Sequence, residues 1–120
     1  MVTRINLAEK LARFDDHWNP RIIADLNDAH VKLVKVQGEF VWHAHADEDE
    51  LFLVLGGTLT IELRDGAVTI GPGEMVVVPK GVEHRPVAVE EVHLMLIEPK
   101  GIRHTGDVAS ELTVHEYSRI

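Results

Sequence analysis

The feature that most constrains this chain is its rhythm. Short runs rich in Val, Ile, Leu and Thr are broken again and again by Gly, Pro and Asp, and almost nothing between them carries helical spacing. The runs fall at 22–26, 30–37, 40–45, 51–55, 58–63, 67–70, 75–78, 85–89 and 92–98, about nine strands in all. Arg64-Asp65-Gly66 predicts a hairpin between two of them, because Asp-Gly supplies the positive φ angles of a tight turn. Gly71-Pro72-Gly73 and Pro79-Lys80-Gly81 frame the run at 75–78 on both sides. Nothing alternates strand with helix as a parallel sheet requires. One short helix is expected near the start, where Asn6 and Glu9 form a capping-box pattern and Leu7, Ala8, Leu11 and Phe14 recur at helical spacing. The expectation is a single all-β domain, a barrel or two-sheet jelly roll. A helix and lead-in cover 1–20, the barrel 21–100, and a polar C-terminal tail 101–120, with a loose strand-like stretch at 112–117.

A chain of 120 residues can bury one sizeable core. It has no cysteine, which rules out disulfides, thiolate metal sites and thiol redox chemistry, so any metal must sit on nitrogen and oxygen. The formal charge of -8 and the lack of a basic stripe argue against nucleic acid. No apolar run reaches membrane-spanning length. Residues 1–14 carry Arg4, Glu9, Lys10 and Arg13 where a signal peptide would be apolar, so a cytoplasmic location is expected.

The eight histidines are the most informative residues, because imidazole is the commonest metal ligand. His43 and His45 alternate in the run at 40–45, which in a strand points both rings to one face. Eight histidines give roughly half an expected His-x-His by chance, so the pair alone says little. Its context says more. Glu50 opens the next apolar strand and offers a carboxylate, Gly57 follows that strand, and further on stand Gly73, Pro79, Gly81 and His84. Gly38, His43-x-His45, Glu50 and Gly57 resemble the first motif of the cupin superfamily, and Gly73, Pro79-x-Gly81 and His84 resemble its second. The resemblance covers 38–88, with the short inter-motif spacing of small microbial single-domain cupins. It implies a jelly-roll barrel in which His43, His45, Glu50 and His84 are the metal ligands, and a homodimer paired through sheet edges. Two positions depart from the pattern: four residues rather than five separate Gly38 from His43, and Ala88 stands where the motif ends in Asn. Neither is a ligand.

Three imidazoles and one carboxylate suit one divalent ion of Fe, Mn, Ni, Co or Zn. An octahedral ion would keep two positions open, whereas tetrahedral zinc would be filled. The acidic stretch Asp47, Glu48 and Asp49 reads as a solvated loop, with Asp49 the one rival to Glu50. His17, His30, His104 and His115 read as surface residues, and His93 as either a pocket or an edge residue. Val41, Phe52, Val54, Pro86 and Ala88 share the ligand face. The run at 75–78 adds apolar wall, and Phe52, Met75 and Trp42 are candidate pocket or support residues. With no Arg or Lys among these positions, a phosphate clamp is disfavoured. The reading is a metal-dependent enzyme, oxidoreductase-like or isomerase-like, on a small organic substrate. The alternatives are a non-catalytic binder of a small molecule or metal and a purely structural barrel.

Overall fold

The computed structural model describes residues 2–102, 105, 106, 110, 112–114 and 116–120. The short helix forms as expected: α1 spans Leu7–Leu11, the Asn6 side chain accepts a hydrogen bond from the Glu9 amide at 3.0 Å, and the helix ends at Ala12. Among the described residues eight strands follow: β1 (Arg21–Leu26), β2 (Ala29–Glu39), β3 (Glu50–Gly56), β4 (Leu59–Leu63), β5 (Gly66–Ile70), β6 (Met75–Val78), β7 (His84–Pro99) and β8 (Ser118–Arg119). No helix among the described residues is long and apolar enough to cross a membrane.

All eight strands join one hydrogen-bonded network ordered β5-β4-β7-β2-β1-β8, with β3 paired to both β6 and β7. The organising element is β7. Its first part pairs with β4, from Thr60↔Val87 to Leu63↔His84, and its later part pairs with β3 at Leu53↔Met95 and Val54↔Leu94. Along nearly its whole length β2 runs beside it, from Ala29↔Pro99 to Glu39↔Val87. The network therefore wraps around one interior. Val34 and Val36 of β2, Phe52 and Val54 of β3, Leu59 and Ile61 of β4, Ile70 of β5, Val78 of β6, and Ala88, Val92, Leu94 and Leu96 of β7 form a single buried cluster. Each large aliphatic side chain in it contributes about 1.5–3 kcal/mol by burial.

The outer face of β1 and β2 is covered by the chain's own ends. Phe14, Ile23 and Leu33 form a second cluster, on which Leu7 and Leu11 of α1 and Ile120 pack. Ser118–Arg119 pairs in parallel with β1 through Arg21↔Ser118, so the strand in this region lies just beyond the expected stretch at 112–117. Arg119 also grips Asp25 at 3.1 Å.

Two expected boundaries differ. The runs at 85–89 and 92–98 are one strand, because Glu90 and Glu91 lie exposed on it without breaking it: the join contains no Gly or Pro. Residues 40–45 are not a strand but an extended segment tied to its neighbours at intervals. Phe40 N–H donates to Pro86 at 2.9 Å, His43 and His84 exchange backbone bonds of 3.0 and 2.9 Å, and the Gly81 amide reaches the His45 carbonyl at 2.8 Å. The ladder fails here because β2 already slips register between Val36 and Gly38, where Gly38 takes φ +89. This is the stretch whose spacing departs from the family pattern.

Candidate metal centre

Three pieces of backbone bring the four motif residues together. His43 and His45 come from the extended segment, Glu50 is the first residue of β3, and His84 is the first residue of β7. The paired backbone bonds between His43 and His84 hold the two rings 4.3 Å apart between centroids, and the His43 and His45 rings lie 5.3 Å apart, nearly perpendicular. One ligand atom from each residue lies within 4.8 Å of all the others. The site is closed off from bulk water: exposure is 2% for His43, 4% for His45, 4% for Glu50 and 1% for His84.

The hydrogen bonds around the cluster decide which nitrogens face inward. His43 Nδ1 lies 2.9 Å from the Val41 carbonyl and His84 Nδ1 lies 2.9 Å from the Val82 carbonyl. A carbonyl can only accept, so both Nδ1 atoms carry the proton and each Nε2 turns a lone pair to the centre. His45 Nδ1 faces Glu48 Oε1 at 3.4 Å, and its Nε2 faces Glu50 Oε2 directly. His43 and His84 Nε2 are buried without a hydrogen-bond partner, and the buried His45 Nε2 and Glu50 Oε2 have no neighbour of that kind besides each other. Four buried polar atoms converging on one point, two of them facing only each other, would be costly unless something bound them, and a divalent ion fits that set.

Electrostatics favour the same occupant. Burial, aided by neighbouring His84, pushes His43 down to about 4, which leaves the ring neutral at pH 7. Burial also opposes charge on His45, but Glu50, Glu98 and Glu48 outweigh it and raise the ring above its ordinary value. Burial alone would raise Glu50, yet His45 and His84 hold it below the usual carboxylate range. The centre thus presents an anionic carboxylate and imidazoles that a metal must relieve of at most a labile proton.

The other sequence candidates divide. Glu50 prevails over Asp49, whose carboxylate instead accepts the Lys80 amide at 2.9 Å. Phe52 is buried edge-on to His84 with centroids 6.0 Å apart, while Val54, Pro86 and Ala88 also face the interior. Val41 is half-buried and contributes its carbonyl to His43. Met75 is no pocket residue: it is 55% exposed, because β6 alternates and only Val76 and Val78 point inward. Trp42 packs its ring under Arg64 at 3.9 Å and Arg85 at 5.5 Å, away from the ligands. His93 sits on the outer face of β7, bonded to Glu91 at 2.9 Å, and His17 holds the same carboxylate at 2.7 Å. His30 is half-buried beside Asp25 at 3.5 Å. His104 and His115 lie outside the described residues.

Three relevant side chains escaped the sequence reading. Glu48 is half-buried and orients His45. Lys32 and Glu98 lie wholly inside the barrel, at 0% and 2% exposure. Strand alternation was the available signal, since Lys32 is in phase with Val34 and Val36, and Glu98 with Leu94 and Leu96. Two spaces adjoin the centre. A gap of about 20 Å³ lies among Trp18, Phe40, His43, Glu50, Phe52 and Leu94. A cavity of about 380 Å³ at the surface is lined by His45, Ala46, Asp47, Glu48, Gly101, Ile102 and Gly106.

Comparison with known proteins agrees with this geometry. The family described as Cupin domain matches residues 30–100. A cupin-2 domain containing protein from Shewanella frigidimarina ncimb 400 is 57% identical, with a TM-score of 0.79 over 80% of this chain and 94% of that one. Protein NMB1881 from Neisseria meningitidis is 37% identical, with a TM-score of 0.74 over 82% of this chain and all of that one. YdbB of Bacillus subtilis (strain 168) is 41% identical over 64 residues, 52% of this chain and 57% of YdbB. Since the match takes in both motifs and most of the barrel, and solved relatives share the fold at high identity, the chain belongs to the cupin family and adopts its jelly-roll fold.

Proposed function

We propose that this protein is a metal-dependent enzyme acting on a small organic molecule, with one divalent ion of Fe, Mn, Ni, Co or Zn held by His43, His45, Glu50 and His84. The observation that carries the reading is the convergence of four buried ligand atoms with no hydrogen-bond partner outside the cluster, next to a cavity of about 380 Å³ that His45 itself lines. Such an ion would supply Lewis acidity and, for iron or manganese, one-electron chemistry. The protein's own contribution is positional. The Val41 and Val82 carbonyls fix the tautomer and tilt of His43 and His84, Glu48 does the same for His45, and Glu50 offsets the charge of the ion. Phe52 and its apolar neighbours leave space of only about 20 Å³ on the inner side, so substrate would approach from the cavity side. Four protein ligands leave two positions on an octahedral ion for water or substrate.

A second reading, a non-catalytic binder of a metal or small molecule, is favoured by one observation. The gap beside Phe52 is only about 20 Å³, room for a single water, and among the described residues the titratable side chains lining it are the proposed ligands His43 and Glu50. Metal analysis of protein purified without added ions, followed by loading with Fe(II), Mn(II) or Co(II) and titration with small chelating acids, separates the two. An enzyme of this kind answers at the metal's spectrum and turns a substrate over. A closed four-coordinate centre that responds to no acid sinks the enzymatic reading, and response without turnover favours the binder. We also propose a homodimer, supported by the exposed apolar strip of Val68, Met75, Val77 and Val82 on and beside the edge strands β5 and β6, and a cytoplasmic location, in keeping with the charged residues at 1–14.

A further inference from the structure

Lys32 and Glu98 point into the barrel interior, and they belong neither to the metal ligands nor to the apolar core. Their side chains are 0% and 3% exposed, and Lys32 Nζ stands 3.8 Å from Glu98 Oε1. That gap is too long for a hydrogen bond, and neither atom has a hydrogen-bond partner among the described residues. The ring of Tyr117 covers Nζ, with its centroid 3.8 Å away. A cation–π contact offsets part of the cost of burying an ammonium group, but it satisfies none of the ammonium's hydrogen bonds and nothing on Glu98 Oε1. A buried pair in this state is stabilised when a third group bonds both members.

The pair is close to the metal centre. Leu53 pairs with Met95 and Val54 with Leu94, and Glu50 and Glu98 each lie three residues beyond the Leu53↔Met95 pair, toward the same end of the two strands. Lys32 lies across the β2–β7 ladder, where it pairs with Leu96. The pair is linked to the surface cavity through its cover, although neither member lines that cavity. Tyr117, which covers Lys32, donates its hydroxyl to the Ile102 carbonyl at 2.9 Å, and Ile102 lines that cavity together with His45. The wall of the cavity and the cover over the pair are thus one connected piece of structure.

We infer that Lys32 and Glu98 form a second polar subsite of the same interior, which takes a hydroxyl group of a ligand whose carboxylate is held at the metal centre. The inference rests on the metal-dependent reading above and adds the ligand class: a small hydroxy acid with its hydroxyl a few carbons from the carboxylate. The chemistry selects the group. An amine would meet the ammonium of Lys32, and a second carboxylate would meet Glu98 with Glu50 close behind. A ketone can only accept. A hydroxyl accepts from Lys32 and donates to Glu98, and an oxygen about 2.8 Å from each atom fits a pair separated as these are.

The test uses the full chain loaded with Co(II), whose absorption spectrum reports ligand exchange. Two acid pairs are titrated, propionate with 3-hydroxypropionate and butyrate with 4-hydroxybutyrate. At least one hydroxy acid is expected to bind about tenfold tighter than its parent, as a hydrogen bond to a buried charged group provides. In Lys32→Met, and separately in Glu98→Gln, that gain should fall below about twofold while the parent acid binds as before. Circular dichroism verifies the fold of each variant, and either variant suffices. If neither hydroxyl adds affinity in the native protein, the pair holds a trapped water and the inference is overturned, whatever the variants do. A gain that survives in a folded variant also overturns it. No spectral response to any of the four acids refutes the metal-dependent reading itself, and the inference falls with it; parent acids that bind with no hydroxyl gain refute the inference alone.

Discussion

Gly57 and Gly38 belong to the same motif, yet substituting alanine for each should have very different effects. Both take positive φ, +86 and +89. An L residue held in that region costs roughly 1–2 kcal/mol, and removing a glycine from the unfolded chain returns about 0.4–1 kcal/mol. For Gly38 nothing else enters, because no atom lies within 4 Å of where its Cβ would stand. For Gly57 the new methyl would sit 2.7 Å from the Glu91 carbonyl oxygen and 3.1 Å from Val92 Cα and Cγ2. The first two are backbone atoms of β7, so no rotamer change relieves them, and overpacking adds about 1–3 kcal/mol. Gly38→Ala should therefore destabilise by about 1 kcal/mol or less, and Gly57→Ala by about 2–4 kcal/mol. Urea denaturation of the metal-free protein measures both, with the slope compared so that a change in midpoint is read as a change in stability. Thermal midpoints should differ by roughly 5–10 °C between the variants. Equal losses would refute the argument, since they would mean that β7 yields at Glu91 and Val92 and that Gly57 is needed only for its φ.

Replacing His84 or His45 with alanine should lower metal affinity by at least about tenfold while circular dichroism still reports a folded barrel, because the core strands do not depend on either ring; unfolding of both variants would contradict this. Metal should be lost on acidification. A ring nitrogen cannot hold a proton and a metal together, and the carboxylates around His45 raise its pKa, so protons compete there from above its ordinary range downward. Dialysis across a pH series checks this, and metal content unchanged well below pH 5 argues against imidazole ligation. Light scattering should give a dimer mass at working concentration, and Val77→Asp on the exposed apolar strip should shift the mass toward the monomer; a monomeric native protein rules the dimer out.

Much of this architecture is legible in the linear pattern. The period of two in the apolar runs, the Asp-Gly and Gly-Pro-Gly breaks and the Asn6 cap each act over a few residues, so β1 to β6 and α1 lie where local chemistry puts them. The four motif residues are legible because a candidate metal site needs particular donor atoms, and these stand at characteristic spacings along the chain. The misplaced strand at 40–45 shows the limit of local reasoning. Its alternation is genuine, but a ladder also needs a partner in register, and the slip at Val36/Gly38 denies it one.

Tertiary structure decided whatever depends on which surfaces meet. Met75 looked like pocket wall because β6 is apolar throughout, and only the pairing of Leu53 with Met75 and Glu50 with Val78 shows which alternate residues face inward. Lys32 and Glu98 stand 66 positions apart, and their opposite charges can share the interior only once β2 and β7 are laid side by side. The sequence by itself determined the candidate donor set, because donor chemistry belongs to residue types. The structure alone decided what surrounds those donors, because burial and electrostatic field come from segments that are distant along the chain and adjacent only after folding.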